Sequence, residues 1–283
     1  MIRSTRNPLR SVLAAAPLAL ICLRLFAGAA AGAEPPQYVG LDGSGKLVYE
    51  ADERGNRVPD FSHCGYGGGG VAIPNVPARV VVAPAPGDAG PRIQAAIDHV
   101  SGLPADEHGF RGAVLLLAGR HEIAGSLRIA TSGVVLRGQG DGPGGTVLVA
   151  TGTDRRTLIR VAGQGERRVE PGPPYRVVDP YVPVGSRQLR LDRSEGLRVG
   201  DSVLIHRPGT AAWITAIGMD RFPLGYEGAL NWRPGTMDLR FDRVVTAVDG
   251  PVVTLDAPLT TALDAALGGG TVQVYSWEGR IER

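Results

Sequence analysis

Cysteine, lysine and aromatic residues are scarce in this chain. Its 283 residues include two cysteines, a single lysine (Lys46) and only 5% aromatic residues. Because Cys64 is the only cysteine after residue 33, that part of the chain cannot form an internal disulfide. The same part carries 26 basic and 28 acidic residues, a net charge of −2. Nucleic-acid binding needs a basic patch, so we expect no nucleic-acid partner.

Residues 1–33 have the pattern of a secretory signal peptide. Three arginines precede the apolar run 12–26, and Ala31-Gly32-Ala33 is typical of a cleavage site. The alternative is a membrane anchor, but Arg24 cuts the apolar run below the roughly 20 residues that a span needs. We therefore predict a secreted protein, extracellular or periplasmic, with no stable membrane anchor.

One segment has the period of an amphipathic helix. In residues 88–101, Ile93, Ala96, Ile97 and Val100 fall on one helical face. No other segment of the mature chain shows this period clearly. Glycine (41 residues) and proline (22 residues) punctuate the rest, which indicates short strands joined by turns.

Short apolar runs follow this helix at close spacing. They occupy residues 113–117, 126–130, 134–137, 146–150 and 157–161, and they align with one another at offsets of 20 and 24 residues. Repeats of this length with two or three short strands indicate a parallel β-solenoid, in which each coil covers the previous one. The helix then serves as an N-terminal cap for the first coil.

The glycines Gly140, Gly142 and Gly145 have the G-x-G-x-x-G spacing of a dinucleotide-binding loop. Such a loop requires a helix directly after it, because the helix N-terminus meets the pyrophosphate. The sequence continues instead with "TVLVA", which has the pattern of a strand. We therefore predict a corner between two solenoid strands.

The remainder of the chain has a different pattern of polar and apolar residues. Residues 163–185 are typical of a loop, and runs with alternating polarity begin at Ser186. Asp249-Gly250 predicts a type I′ hairpin, so we expect an antiparallel β insert.

No capping element follows residues 271–283, and we expect this chain to be a truncated version of a longer β-helix protein. The predicted division is a signal peptide (1–33), a turn-rich segment (34–78), the capping helix with the first coils (79–162), a loop with the antiparallel insert (163–270) and a return to the coil stack (271–283).

These patterns resemble the opening of right-handed parallel β-helix proteins of the pectate lyase superfamily. The resemblance covers roughly residues 57–162 and implies an all-β fold. Members with this opening include polysaccharide lyases, glycoside hydrolases, epimerases and phage tailspikes. The matching positions are Gly87, Asp88, Ile93, Gln94, Ala96, Ile97, Asp98, Gly119, Val135, Leu136 and Gly138.

The resemblance also implies which chemistry to look for. Uronate lyases of the superfamily use a cation, usually Ca²⁺, held by carboxylates, together with a base and a cationic group. Glycoside hydrolases use two carboxylates across the scissile bond. In the family these groups lie on central coils that this chain barely reaches, and no acidic cluster maps onto either pattern. We assign no catalytic residue and no metal ligand, and Ca²⁺ is implied by the resemblance only.

The loop 206–235 is the first choice for contact with a glycan. Aromatic rings suit stacking on sugars, and arginines suit pairing with uronate carboxylates. The alternative is a small hydrophobic core beneath a long loop. We expect His206 to be a surface or satisfied histidine, and the carboxylates of "DLRFDR" to form surface ion pairs. The predicted substrate-binding residues are Trp213, Arg221, Tyr226, Trp232 and Arg233.

Two functions remain open from the sequence. The first is a secreted carbohydrate-active β-helix protein that acts on an acidic, uronate-containing polysaccharide, with lyase (β-elimination) chemistry in the full-length parent favoured over hydrolysis. The second is a non-catalytic glycan-binding or adhesion module, in which the β-helix is only a rigid scaffold.

Overall fold

The computed structural model describes residues 38–221 and 230–282. The chain divides into two units, residues 1–50 and 51–283, and its described part is mostly β structure with few helices. None of the described helices has the length and apolar character that crossing a bilayer requires. The predicted signal peptide and Tyr226 lie outside the described residues.

The described part of the first unit is a β-hairpin. Strands β1 (Val39–Leu41) and β2 (Leu47–Tyr49) pair antiparallel. The Asp42 carboxylate accepts hydrogen bonds from the backbone N–H groups of Ser44 and Lys46 and thereby closes the turn. The Ser44 hydroxyl also donates to this carboxylate, and these bonds lower the pKa of Asp42.

The second unit begins with turns and continues into strands that pair parallel. Two short 3₁₀ turns occupy Phe61–His63 and Tyr66–Gly68. The next elements are β3 (Ala78–Val82), α1 (Gly90–Ser101), β4 (Gly112–Leu116), β5 (Gly119–Ile123), β6 (Leu127–Ile129), β7 (Val134–Gly138), β8 (Thr146–Ala150) and β9 (Ile159–Val161). Strand β4 pairs with β3 and β7, β5 pairs with β8, and β6 pairs with β9, always in parallel. Each of the three consecutive strands β4, β5 and β6 thus pairs with one of the next three strands along the chain.

Helix α1 covers the interior of this parallel stack. The four residues of its predicted apolar face are all buried, and Ile93 and Val100 are completely so. They join Val114, Leu116 and Leu127 in one aliphatic cluster. The Asp88 carboxylate accepts from the backbone N–H groups of Gly90 and Ala124, and so ties the helix start to the stack. The periodicity therefore predicted the helix correctly.

The sequence distance between paired residues differs from the predicted one. Paired residues are 22 apart between β4 and β7, 27 apart between β5 and β8, and 32 apart between β6 and β9. The offset of 20 had predicted that Leu127 would pair with Val147, but it pairs with Ile159. The distance grows because the corners that connect β7 to β8 and β8 to β9 are longer than those that connect β4 to β5 and β5 to β6.

The glycine loop is one of these corners. Strand β7 ends at Gly138 and β8 begins at Thr146, and the two strands belong to different sheets. Gly140 has a φ of +75°, and a Cβ on Gly145 would lie 2.3 Å from the Gly140 carbonyl oxygen. Glycine is needed for the turn itself, and a strand follows it, as predicted.

The rest of the unit forms antiparallel sheets. The elements are β10 (Arg168–Val169), β11 (Tyr175–Arg176), β12 (Tyr181–Val182), β13 (Gln188–Arg190), β14 (Ser202–Arg207), α2 (Ala211–Ala216), β15 (Leu239–Asp249), β16 (Val252–Leu255), β17 (Leu263–Asp264), a 3₁₀ turn (Ala265–Leu267) and β18 (Thr271–Ser276). The larger sheet has the strand order β10-β18-β14-β15-β16-β13, with β11 also on β18, and β12 pairs with β17 in a separate sheet. The core of this region contains Val203, Ile205, Val245, Leu255 and Val272.

Two predictions for this part of the chain need correction. Strand β18 (Thr271–Ser276) does not join the parallel stack, because it pairs antiparallel with β14 along the edge that β15 leaves free. The hairpin between β15 and β16 exists, but its central residues are Gly250 and Pro251. Proline cannot take the positive φ that a type I′ turn requires at its second position.

Candidate functional site

A short helix positions the first predicted tryptophan. Helix α2 follows Thr210, whose extended backbone and side chain form an N-cap. The Thr210 hydroxyl accepts a hydrogen bond from the Trp213 backbone N–H at 3.2 Å and donates to the Leu267 carbonyl at 2.8 Å. This capping residue therefore fixes the helix to the turn that follows β17.

Trp213 and Trp232 lie against each other. Their ring centroids are 5.7 Å apart and their planes meet at 38°, a favourable tilted arrangement of two aromatic rings. Both side chains are half-buried. The Trp232 backbone N–H donates to the Met219 carbonyl at 2.9 Å, which holds the far side of the loop against the residues after α2.

Arg207 packs beneath Trp213. Val203, Ile205 and Arg207 alternate along β14, so they face the same side, and the first two belong to the core of the antiparallel sheet. The Arg207 guanidinium lies 3.9 Å from the centroid of the Trp213 ring, and the residue is only 6% exposed. Its Nη1 is buried without a hydrogen-bond partner among the described residues. Burial lowers the pKa of Arg207, because a desolvated charge is costly.

The two predicted arginines, Arg221 and Arg233, are exposed, and among the described residues neither forms a cation–π contact with the tryptophan pair. Arg221 is 77% exposed, and its Nε lies 3.5 Å from Oδ1 of Asp220. Arg233 is exposed beside a turn in which the Thr236 hydroxyl donates to the Arg233 carbonyl. The structure thus brings Trp213 and Trp232 together and leaves the two arginine side chains in solvent. The role of all these residues stays a prediction.

His206 has a partner that the sequence did not indicate. Its Nε2 lies 2.9 Å from Oδ2 of Asp238, and the other carboxylate oxygen accepts the Gly209 backbone N–H at 2.9 Å. Arg240 lies 3.5 Å from the same carboxylate. The bonds from Gly209 and His206 lower the pKa of Asp238, so this carboxylate is an acceptor and the imidazole Nε2 carries the hydrogen. His206 and Asp238 are 32 residues apart, at the two ends of the loop.

The described carboxylates do not fit the Ca²⁺ site that the family resemblance implies. Among residues 38–221 and 230–282, no three histidine, cysteine or acidic side chains lie together as a metal site would require. Asp238 is engaged by His206 and Arg240, and Asp242 is engaged by Tyr275 and Arg280. These contacts are the ion pairs that the sequence predicted for "DLRFDR".

A cleft elsewhere in the antiparallel region is less suited to a sugar. It measures about 260 Å³ and includes Tyr181, Gln188 and Arg190 in its lining. The Arg54 guanidinium covers the Tyr181 ring at 3.7 Å. Asp179, also at this cleft, already accepts the Arg190 backbone N–H at 2.7 Å. One face of the only aromatic ring in the cleft is therefore occupied.

The comparisons with known proteins give similarities to solved structures only. No family model matches the chain, and the search of curated proteins finds no match. The tailspike of Acinetobacter baumannii bacteriophage AP22, solved in complex with an A. baumannii capsular saccharide, is similar at a TM-score of 0.30 and 10% identity over 65% of this chain. The tailspike of Pseudomonas phage phi297 is similar at a TM-score of 0.30 and 17% identity over 64% of this chain. The tailspike of Pseudomonas phage LKA1 is similar at a TM-score of 0.29 and 22% identity over 64% of this chain.

The chain spans about a quarter of the length of these tailspikes, 24% in each case. At these TM-scores and identities we draw no conclusion about function from the likeness. The three proteins are tailspikes, so the resemblance to the pectate lyase superfamily stays a prediction.

Proposed function

We propose that this protein is a secreted carbohydrate-binding protein whose ligand is an acidic, uronate-containing polysaccharide. The observation that carries the proposal is the half-buried Trp213–Trp232 pair above the buried Arg207 guanidinium. Each indole keeps part of its surface in solvent, where a sugar ring can stack. Arg221 and Arg233 lie in solvent on the same loop and supply the charge that a uronate carboxylate needs.

The scaffold that we propose is a right-handed parallel β-helix with α1 as its cap. It is supported by the parallel pairing of three successive strands with the next three, on three separate sheets. In this arrangement the parallel stack is the rigid frame, and the antiparallel region carries the ligand.

Gel retention in acidic polysaccharides tests the binding function. We expect wild-type protein to be retarded by polygalacturonate, alginate or glucuronan and to run freely in neutral dextran. Trp213→Ala combined with Trp232→Ala should abolish most of the retardation. Arg221→Gln combined with Arg233→Gln should weaken it, whereas Arg155→Gln combined with Arg198→Gln, an equal charge change at two other exposed sites, should not. Unchanged retardation of the double tryptophan variant would reject the proposal.

Lyase chemistry is the second candidate, and the His206–Asp238 pair favours it. An imidazole whose Nε2–H is held by a carboxylate presents Nδ1 as a base. In β-elimination this base removes the proton α to the uronate carboxylate. The C–H electrons form the new C=C bond, the C–O bond to the leaving sugar breaks, and the departing oxygen takes a proton from water. Arg240, beside Asp238, is the nearby cation for the substrate carboxylate.

Absorbance of unsaturated uronates separates the two candidates. The same polysaccharides are incubated with the protein, with and without added Ca²⁺. Product formation that His206→Asn abolishes supports the lyase. Retardation without any product, across the panel and both conditions, supports the non-catalytic binding module.

A further inference from the structure

Trp277 is exposed at the end of β18. It directly follows the strand, and 38% of its surface is accessible. Two guanidinium groups flank its ring: that of Arg280 lies 5.8 Å and that of Arg167 lies 5.9 Å from the ring centroid. These arginines come from separate segments, one before β10 and one after β18. They flank the indole at the outer limit of cation–π contact, about 6 Å.

Arg280 is held in place by its neighbours. Its Nη1 lies 3.1 Å from Oδ2 of Asp242 and 3.1 Å from the Tyr275 hydroxyl. The Tyr275 hydroxyl in turn donates to Oδ1 of Asp242. Burial, together with this hydrogen bond, raises the pKa of Tyr275, so the phenol remains a donor. An arginine fixed in this way loses little conformational freedom when a ligand binds.

Arg167 provides charge that is not neutralised locally. It is exposed, and no described carboxylate lies within ion-pair distance of its guanidinium. Its contacts are with the Tyr275 ring at 5.5 Å and with the Trp277 ring. The exposed indole therefore has one prepositioned arginine and one unpaired arginine beside it. An exposed aromatic ring with guanidinium groups within about 6 Å of its centroid is complementary to a sugar ring that carries a carboxylate.

We propose that Trp277, Arg167 and Arg280 form a second binding site, for a single uronate unit, with the sugar ring on the indole and its carboxylate on Arg167. The site shares no residue with the Trp213–Trp232 pair. This second site depends on the proposed function only for the class of its ligand, a uronate. A protein with two such sites binds a long acidic chain more tightly than either site alone, provided that the chain can reach both.

The experiment uses Trp277 as its own reporter. Because the chain has three tryptophans, Trp213→Phe combined with Trp232→Phe leaves Trp277 as the only one. We expect galacturonate and its short oligomers to change Trp277 fluorescence saturably, and galactose to have no effect. Arg167→Gln should weaken binding about tenfold, the equivalent of one charge-assisted hydrogen bond. Arg168→Gln, the same charge change one residue further on, should weaken it less than about twofold.

The outcomes separate this site from the first one. A saturable response that Arg167→Gln weakens supports the second site, even if retention on polymers proves independent of Trp213 and Trp232. The absence of a saturable response, or an equal effect of Arg167→Gln and Arg168→Gln, overturns it, even if the first site binds. If the double phenylalanine variant does not fold, wild-type protein labelled with 5-fluorotryptophan gives a separate ¹⁹F signal for Trp277, to which the same criteria apply.

Discussion

The parallel and antiparallel regions of this chain differ in the kind of side chain that they use. Residues 79–161 contain one aromatic residue, Phe110, whereas residues 163–282 contain nine, including all three tryptophans. The parallel stack has an aliphatic core closed by α1. Among the described residues, the aromatic rings of the antiparallel region make seven contacts with guanidinium groups, such as those of Arg207 with Trp213 and Arg193 with Tyr175.

The difference in side chains suits the two regions to different roles, one to packing and the other to ligand binding. Small and aliphatic residues allow strands of successive coils to stack closely, but they offer nothing that recognises a sugar. Arg207 and Trp277 occur where strands end, and Trp213 lies on the short helix α2 that follows β14. Recognition is thus expected in the antiparallel region and mechanical support in the parallel one.

The largest expected effect is on the core of the parallel stack. Ile93→Ala should lower the free energy of unfolding by about 3 kcal/mol, because a fully buried isoleucine leaves a cavity when truncated. Urea unfolding followed by circular dichroism measures this. Native tryptophan emission should stay unchanged, since all three reporters lie in the other region. His99→Ala, on the exposed side of the same helix, is the control; equal losses in the two variants would mean that α1 does not close the core.

The second largest loss of stability is expected at a glycine in one of the corners of the parallel stack. Gly133 has a φ of +78°, and a Cβ there would lie 2.1 Å from the Gly109 carbonyl oxygen. Gly133→Ala is therefore expected to cost about 2 kcal/mol, through backbone strain and displacement of the facing loop. Gly125→Ala, where a Cβ meets nothing within 4 Å, should be close to neutral in the same unfolding experiment. A neutral Gly133→Ala would show that the corner can rearrange.

Asp238→Asn should destabilise the antiparallel region by about 1 kcal/mol at pH 7, the scale of a charge-assisted hydrogen bond. Since folding lowers the pKa of Asp238, its contribution is present above the ordinary value of about 3.9 and is lost as the pH falls through the lower folded value. The difference between wild type and variant should therefore shrink below about pH 4 in pH-dependent urea unfolding. Asp249→Asn, at an exposed turn, should show no such trend; a difference that persists at low pH would contradict the ion-pair explanation.

Arg207→Met should have the smallest effect on stability. A buried guanidinium whose Nη1 has no hydrogen-bond partner within residues 38–221 and 230–282 is costly, so an apolar chain of similar length should change the free energy of unfolding by less than about 1 kcal/mol. Retention on acidic polysaccharides should nevertheless fall about threefold, as the cation beneath Trp213 is lost. Arg198→Met is the control for both measurements. A large loss of stability with unchanged retention would make Arg207 a structural residue only.

The helix was predictable from the sequence because its signal is local. The strand β5 was not, since "GRHEI" has the pattern of a polar segment. His121 in this strand is completely buried. Its Nε2–H donates to the Leu117 carbonyl at 2.9 Å, whereas its Nδ1 is buried without a hydrogen-bond partner among the described residues. The burial of this histidine depends on the tertiary structure around it, and no sequence pattern encodes that.

The candidate site was predictable only in part. Clustering of tryptophans in the loop 206–235 indicated that Trp213 and Trp232 could meet. The burial of Arg207 depends on which face of β14 looks toward the core, and the pairing of His206 with Asp238 depends on the register between β14 and β15. Both are tertiary properties. The strand β18 was misplaced for the same reason, since alternation shows that a strand exists but not which edge it joins.

The unequal corners of the stack have a practical consequence. Between β8 and β9 the chain makes an excursion that leaves the pairing of β9 with β6 intact. Lengthening such an excursion costs little, because the entropy of closing a loop rises only slowly with its length. Residues 151–157 should therefore accept a foreign peptide, such as an epitope or a protease site, without loss of the pairing between β6 and β9.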